Sequence, residues 1–184
     1  MDHLLEMRNL SIDLYRGRRT PPVKLVEGID LNIDKKQNFG IVGESGCGKS
    51  ITCSSIMGLL SFPLSVGAGS SIRFQRENGT DTELLSLPKK QMQQLRGKEI
   101  SMIFQDSGAM MNPTRKVGDV FVEYLRTHEK ISKKDAWAKG CGMLEKMNLP
   151  SPDNVMKSYP FQLSGGMRQR VGIAMGMSYQ PKLL

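Results

Sequence analysis

Apolar and polar residues alternate through the first part of the chain, with one interruption. The stretch "EMRNLSIDLY" at 6–15 reads as a half-buried strand. "RGRRTPP" breaks it, and "KLVEGIDLNID" resumes the alternation at Leu25, Ile29, Leu31 and Ile33, so the first forty residues predict an antiparallel β layer. A short apolar run, "FGIVG" at 39–43, then enters a glycine-rich loop as a further strand. "KSITCSSIMGLL" has helical character and is closed by the breaker "SFPLSVGAGSS". "SIRFQRE" and "ISMIFQ" read as strands on either side of a polar helix around "PKKQMQQLRG".

From Asp106 the period changes. Val117, Val120, Phe121, Tyr124 and Leu125 recur at i, i+3, i+4, i+7 and i+8, which predicts a helix with one apolar stripe. Ser132 with Asp135 resembles a capping box that opens a second helix, with Pro150 and Pro152 closing it. A last helix runs from about Gly165 to Tyr179, with Val171, Ala174, Met175 and Ser178 on one side, and "KLL" at 182–184 reads as a strand just beginning. The order of elements predicts an α/β protein in three parts: a core with an antiparallel β layer at 1–105, a helical lobe at 106–162, and a helix leading into a strand at 163–184.

Composition changes this picture little. With 184 residues and 39% hydrophobic content, the chain can bury one sizeable core with a smaller lobe attached. The formal net charge of +8 suits an anionic partner. The basic residues are scattered in short groups such as "KKQ", "PKK" and "SKKD" without aromatic interleaving, a pattern that favours solvated faces over a nucleic-acid surface. The three cysteines, Cys47, Cys53 and Cys141, are odd in number and lack metal-ligand spacing, which argues against a disulfide framework or a zinc site. The first ten residues carry charges and no apolar signal core, and no apolar run approaches the roughly 20 residues of a membrane span. The expected location is therefore cytosolic.

The chemistry lies in two glycine motifs. "GESGCGKS", Gly43 to Ser50, fits G-x-x-x-x-G-K-[ST] between a predicted strand and a predicted helix. A chance match in a chain of this length is on the order of one per cent. Gly43, Gly46 and Gly48 allow the backbone of Glu44, Ser45 and Cys47 to form a concave nest of N–H groups facing phosphate oxygens, backed by the positive end of the helix through Ile51. Lys49 would neutralise the outer phosphates of a nucleotide, and the Ser50 hydroxyl is placed for a magnesium ion. Cys47 is either a redox-sensitive thiol or a small residue that fits the loop. In "LSGGMRQR", Leu163 to Arg170, Ser164 can cap a helix that begins with Gly165 and Gly166. That makes either a second anion site or a flexible helix start.

Taken together, the motifs resemble those of the ATP-binding cassette ATPases over essentially the whole chain. The resemblance implies a P-loop core with an antiparallel β subdomain and an inserted helical subdomain, with ATP and Mg2+ as ligands. "GESGCGKS" corresponds to the family's Walker A loop and "LSGGMRQR" to its signature. "MIFQD" is similar to the Q-loop, so that Gln105 would contact magnesium and the attacking water and link the core to the helical lobe. In the family two cassettes bind head to tail, so Ser164, Gly165, Gly166 and Gln169 would act on a partner's nucleotide. Tyr15 is the candidate for the adenine-stacking aromatic, against a structural tyrosine on the β layer.

Finer resemblance, in "IVGESGCGKS", "IMGLL", "MNP", "YPFQLSGGMRQRVGIAM" and "PKLL", is to the ATPase subunits of bacterial oligopeptide, dipeptide and nickel importers. It implies a second ATPase subunit, in this branch a heterodimer more readily than a homodimer, and transmembrane permease subunits. It also implies an indirect extracytoplasmic solute-binding protein and a place on the cytoplasmic face of the membrane. Two departures are Ile51, where the wider family has Ser or Thr, and "QDSGAMMNP" in place of a Gln-Asp-Pro run. The family's Walker B strand, D-loop and switch histidine are not found in the 184 residues. The expectation is an incomplete cassette that binds nucleotide, hydrolyses it poorly and exposes apolar strand edges. Two alternatives from other classes are a non-catalytic nucleotide-binding or regulatory module, and a soluble cassette protein acting on DNA or ribosomes.

Overall fold

The computed structural model describes residues 3–17, 20–105 and 111–184. They form two compact units, Met1–Gln93 and Gln94–Leu184.

The first unit is built on an antiparallel sheet. Strand β1 (Leu5–Leu14) lies between β2 (Val23–Ile33), paired from Leu5↔Ile33 to Leu14↔Val23, and β4 (Ser71–Gln75), paired from Leu5↔Phe74 to Arg8↔Ser71. The short β3 (Leu64–Val66) continues the β4 edge of β1, and β5 (Asp81–Glu83) extends the sheet beyond β4. The alternation read from the sequence slips once. Leu5 and Met7 are fully buried, and so are Leu10 and Ile12, which have the opposite parity. A register irregularity between Met7 and Leu10 absorbs the change: Asn9 adopts φ 48°, and its N–H donates to the Asp30 carboxylate at 2.7 Å. With Ile72 and Phe74, these side chains make the sheet core, each stabilising the fold by about 1.5–3 kcal/mol.

Residues 38–44 are not in a ladder, although their apolar run predicts a strand. Phe39 and Ile41 are exposed, and Val42 is 96% exposed. A strand, unlike a helix, has no internal hydrogen bonds and takes its regular form only beside a partner. Helix α1 (Lys49–Ile56) follows, and α2 (Lys89–Leu95) is the polar helix expected after Pro88.

The second unit is helical: α3 (Val117–His128), α4 (Lys133–Lys146), α5 (Pro152–Lys157) and α6 (Gly165–Gly176). Their shared core contains Phe121, Leu125, Leu144, Met156, Val171 and Ala174. The predicted stripe of α3 faces this core at Val117, Phe121 and Leu125. Ser132 caps α4 as expected, accepting the Asp135 N–H at 3.1 Å. Pro152 does not close α4. It occupies the first turn of α5, where a missing N–H costs nothing. The expected strand at 100–105 is reduced to a bridge between Ile100 and Leu183, where Ser101 N–H donates to the Leu183 carbonyl at 2.9 Å. Residues 101–104 carry no regular ladder. Of the segment that replaces the family's Gln-Asp-Pro run, 106–110 lie outside the described residues.

Candidate nucleotide site

The phosphate loop owes its shape to its glycines. Gly46 and Gly48 have φ of 84° and 98°, which side chains rarely adopt. A Cβ at Gly48 would also stand 2.8 Å from Val26 Cγ2, and one at Gly43 would stand 2.7 Å from Cys47 Sγ. Gly48 caps α1 without a side-chain hydrogen bond, and the first turn of α1 holds no acidic residue. Its leading N–H groups and helix dipole therefore favour an anion. The Lys49 ammonium donates to the carbonyl oxygens of Gly43 at 2.8 Å and Glu44 at 2.6 Å, and approaches Cys47 Sγ at 3.5 Å. Cys47 is exposed. Beside the loop lies a cavity of about 380 Å³ lined in part by Asp30, Phe39, Ile41, Cys47, Lys49 and Thr52. Glu44, Ser45, Ser50 and Ile51 sit in or next to the loop as their order requires. The donor set fits a polyphosphate: a nest that only glycines allow, an uncapped helix start and a lysine at the loop's mouth.

Tyr15 follows β1, half-exposed, and its N–H donates to the Pro63 carbonyl at 2.9 Å. It does not line the cavity beside the loop.

In the second unit, Ser164 Oγ accepts the Met167 N–H at 3.3 Å and caps α6, as the sequence predicts. Gly165 and Gly166 are exposed, and a Cβ on either would meet nothing within 4 Å. Neither has a positive φ. The internal structure therefore does not require glycine at either position, and the bare helix start is suited to close approach by something outside the chain. Supports that motif reading did not single out hold this end in place. Arg168 donates to the Leu163 carbonyl at 3.0 Å, Arg170 to the Asn148 carbonyl at 3.1 Å, and Gln162 accepts the Tyr159 N–H at 2.8 Å. They lie inside the quoted motif or just before it, but only coordinates reveal which carbonyls they meet. Gln169 is partly buried, and Gln105 is exposed in a turn after the Ile100 bridge.

Comparison with known proteins shows the family and the fold. The ABC transporter family model matches residues 26–184. The chain is 42% identical over 183 residues to the oligopeptide transport ATP-binding protein OppD of Bacillus subtilis (strain 168), covering 98% of this chain and 49% of OppD. It is 41% identical to the dipeptide transport ATP-binding protein DppD of the same organism, covering 100% of this chain and 53% of DppD. Among solved structures, a dimeric post-hydrolysis state of the ATP-binding cassette MJ0796 bound to ADP and Pi superposes with a TM-score of 0.77 at 21% identity, covering 96% of this chain and 70% of that one. The chain belongs to the ABC transporter family, with the α/β fold of its ATP-binding cassettes. It spans about half the length of the curated relatives it matches.

Proposed function

We propose that the protein carrying this chain is the ATP-hydrolysing subunit of an importer for peptides or a related small solute such as nickel. The observation that carries the reading is that the chain holds both a glycine-built anion cradle at Gly43–Ser50, without a side-chain cap, and, in its other unit, a Ser164-capped helix start left bare at Gly165 and Gly166. The relatives named for oligopeptide and dipeptide transport support the importer assignment.

In this reading Lys49 leaves the Gly43 and Glu44 carbonyls and turns to the outer phosphates of ATP. The backbone of Glu44 to Gly48 cradles the inner ones, and Ile51 lies at the start of the helix behind them. Ser50 and Gln105 would hold Mg2+, which supplies charge neutralisation of the phosphates when bound. Tyr15 is proposed for the adenine side. Ser164, Gly165, Gly166 and Gln169 would meet the nucleotide held by a second subunit, homologous or identical. The parts proposed from sequence carry these roles: the nucleotide core at 1–105, the helical lobe at 106–162 that meets membrane permease subunits, and the signature helix and following strand at 163–184. The place of work is the cytoplasmic face of the membrane, with a solute-binding protein acting through the permease. No described helix is long and apolar enough to cross a membrane.

The test is magnesium-dependent ATP hydrolysis and labelled-dipeptide uptake by the full-length gene product reconstituted with its permease subunits. The expected result is turnover abolished by Lys49→Ala. ATP binding without turnover in that assembly would instead favour a regulatory module.

A further inference from the structure

A cluster of three aromatic side chains ties together the near ends of the two segments that carry Gln105 and Ser164. The His128 ring meets Tyr124 edge-on, with centroids 5.3 Å apart and planes at 71°, and meets Tyr179 at 5.5 Å and 70°. Tyr124 O–H donates to the Gly97 carbonyl at 2.9 Å, and Tyr179 O–H to the Leu125 carbonyl at 2.8 Å. From α4, the Lys139 ammonium lies 4.4 Å from the Tyr179 ring centroid while pairing with the Glu129 carboxylate at 2.6 Å. Gly97 permits the contact, because its φ is 77° and a Cβ there would stand 2.8 Å from Tyr124 Oη and 2.9 Å from His128 Nε2.

The Gly97 turn opens the run to Gln105. Its N–H donates to the Ile100 carbonyl at 2.8 Å, and Glu99 and Ser101 then bond to Lys182 and Leu183 beyond α6. At the end of α6, a Cβ on Gly176 would stand 3.3 Å from both Ile103 Cγ1 and Ser101 Oγ, so the helix is packed closely on this run. Gln105 and Ser164 thus lie at the far ends of two segments that are fastened at their near ends by these backbone bonds, by the Gly176 packing and by the aromatic cluster.

We propose that Tyr124, His128 and Tyr179 form a clasp that locks the run to Gln105 in register with α6, so that a displacement of Gln105 is carried to Ser164–Gly166. The three are positioning residues and touch no ligand. The proposal rests on the importer reading for its consequence, and on geometry alone for the clasp.

The double substitution Tyr124→Phe with Tyr179→Phe removes both hydroxyl bonds and keeps both rings. Each single substitution removes one bond and serves if the double variant does not fold. The control is Trp137→Phe, which removes a hydrogen bond to Asp153, 2.9 Å long, elsewhere in the same unit. In the full-length protein, amide hydrogen exchange at the hydrogen-bonded positions 99–101 and 168–170 is expected to speed up together, by about threefold or more, while the control changes neither. With the permease present, kcat is expected to fall about five- to tenfold with KM unchanged. Exchange that rises in one segment alone, or in neither, overturns the clasp. Loosened exchange with unchanged kcat overturns its positioning role. If the parent protein does not hydrolyse ATP at all, the importer reading fails, and exchange alone decides the clasp.

Discussion

The Lys49 ammonium donates to the Gly43 carbonyl oxygen at 2.8 Å, so the loop's lysine is folded back on the backbone that precedes it. A polyphosphate offers stronger acceptors than a carbonyl, because its oxygens carry negative charge and attract the ammonium by Coulomb force as well as by hydrogen bonding. Lys49→Ala is therefore expected to weaken ATP binding by about 1.5–3 kcal/mol, the usual worth of a charged hydrogen bond. Titration with a fluorescent ATP analogue measures the loss. The same titration with adenosine should show no difference, and an equal loss for both ligands would mean that Lys49 supports the fold instead of the phosphates.

One substitution made at two glycines should separate internal from external demands. Gly48→Ala forces a side chain into φ 98° and against Val26, so it is expected to cost about 1–3 kcal/mol and to distort the loop. Gly165→Ala meets nothing and adds a better helix former, so stability should hold or rise by up to about 1 kcal/mol. Thermal melts compare the two. Under the proposed importer reading, Gly165→Ala should nevertheless lose turnover in the full-length protein, because the added methyl faces whatever approaches the bare helix start.

Among the described glycines of the helical unit, Gly118 is the tightest. A Cβ there would lie 2.4 Å from the Trp137 ring and 2.7 Å from the Met156 carbonyl oxygen. The indole is itself held by a hydrogen bond to Asp153. Gly118→Ala should therefore overpack the contact between α3 and α4 and destabilise the protein by about 1–3 kcal/mol. Denaturant titration checks it, and Trp137 fluorescence should report the shift. A neutral result would show that the indole moves aside without cost.

Helices were more legible than strands. The stripe of α3 and the Ser132 cap are local signals, because a helix satisfies its own backbone and a cap needs only its next three residues. The runs at 39–43 and 100–105 have strand-like texture, but their regularity depends on partners that local texture does not specify. The three-residue β3 was hidden in a stretch read as a breaker and exists because Ile12, Asp13 and Leu14 pair with it. The first glycine motif was legible because its spacing encodes a backbone shape, and the second because Ser164 is a local helix cap followed by two side-chain-free positions. The Tyr124–His128–Tyr179 cluster was not, since up to 55 residues separate members that only the packed fold brings together.

That cluster also sets a pH window for the helical unit. Burial first, and then the charge of Lys98 on the Gly97 turn, hold the His128 pKa below its ordinary 6.5. The other groups around the cluster are Tyr124 on α3, Glu129 just beyond it, Tyr179 after α6 and Lys139 on α4. Burial pushes the Tyr124 hydroxyl up to about 12 and, with Glu129 opposing a phenolate, the Tyr179 hydroxyl to about 12. The native cluster thus prefers neutral rings. For His128, the unfolded chain takes up a proton first, so its contribution is present above 6.5 and is lost as pH falls below that value. For the tyrosines, the unfolded chain loses protons first, so their contribution is present below 10 and is lost as pH rises from 10 towards 12. Melting temperature should therefore fall on both sides of a plateau between these limits. His128→Phe keeps an aromatic ring in place and should flatten the acid side alone. An acid slope unchanged in that variant would assign the loss to other groups.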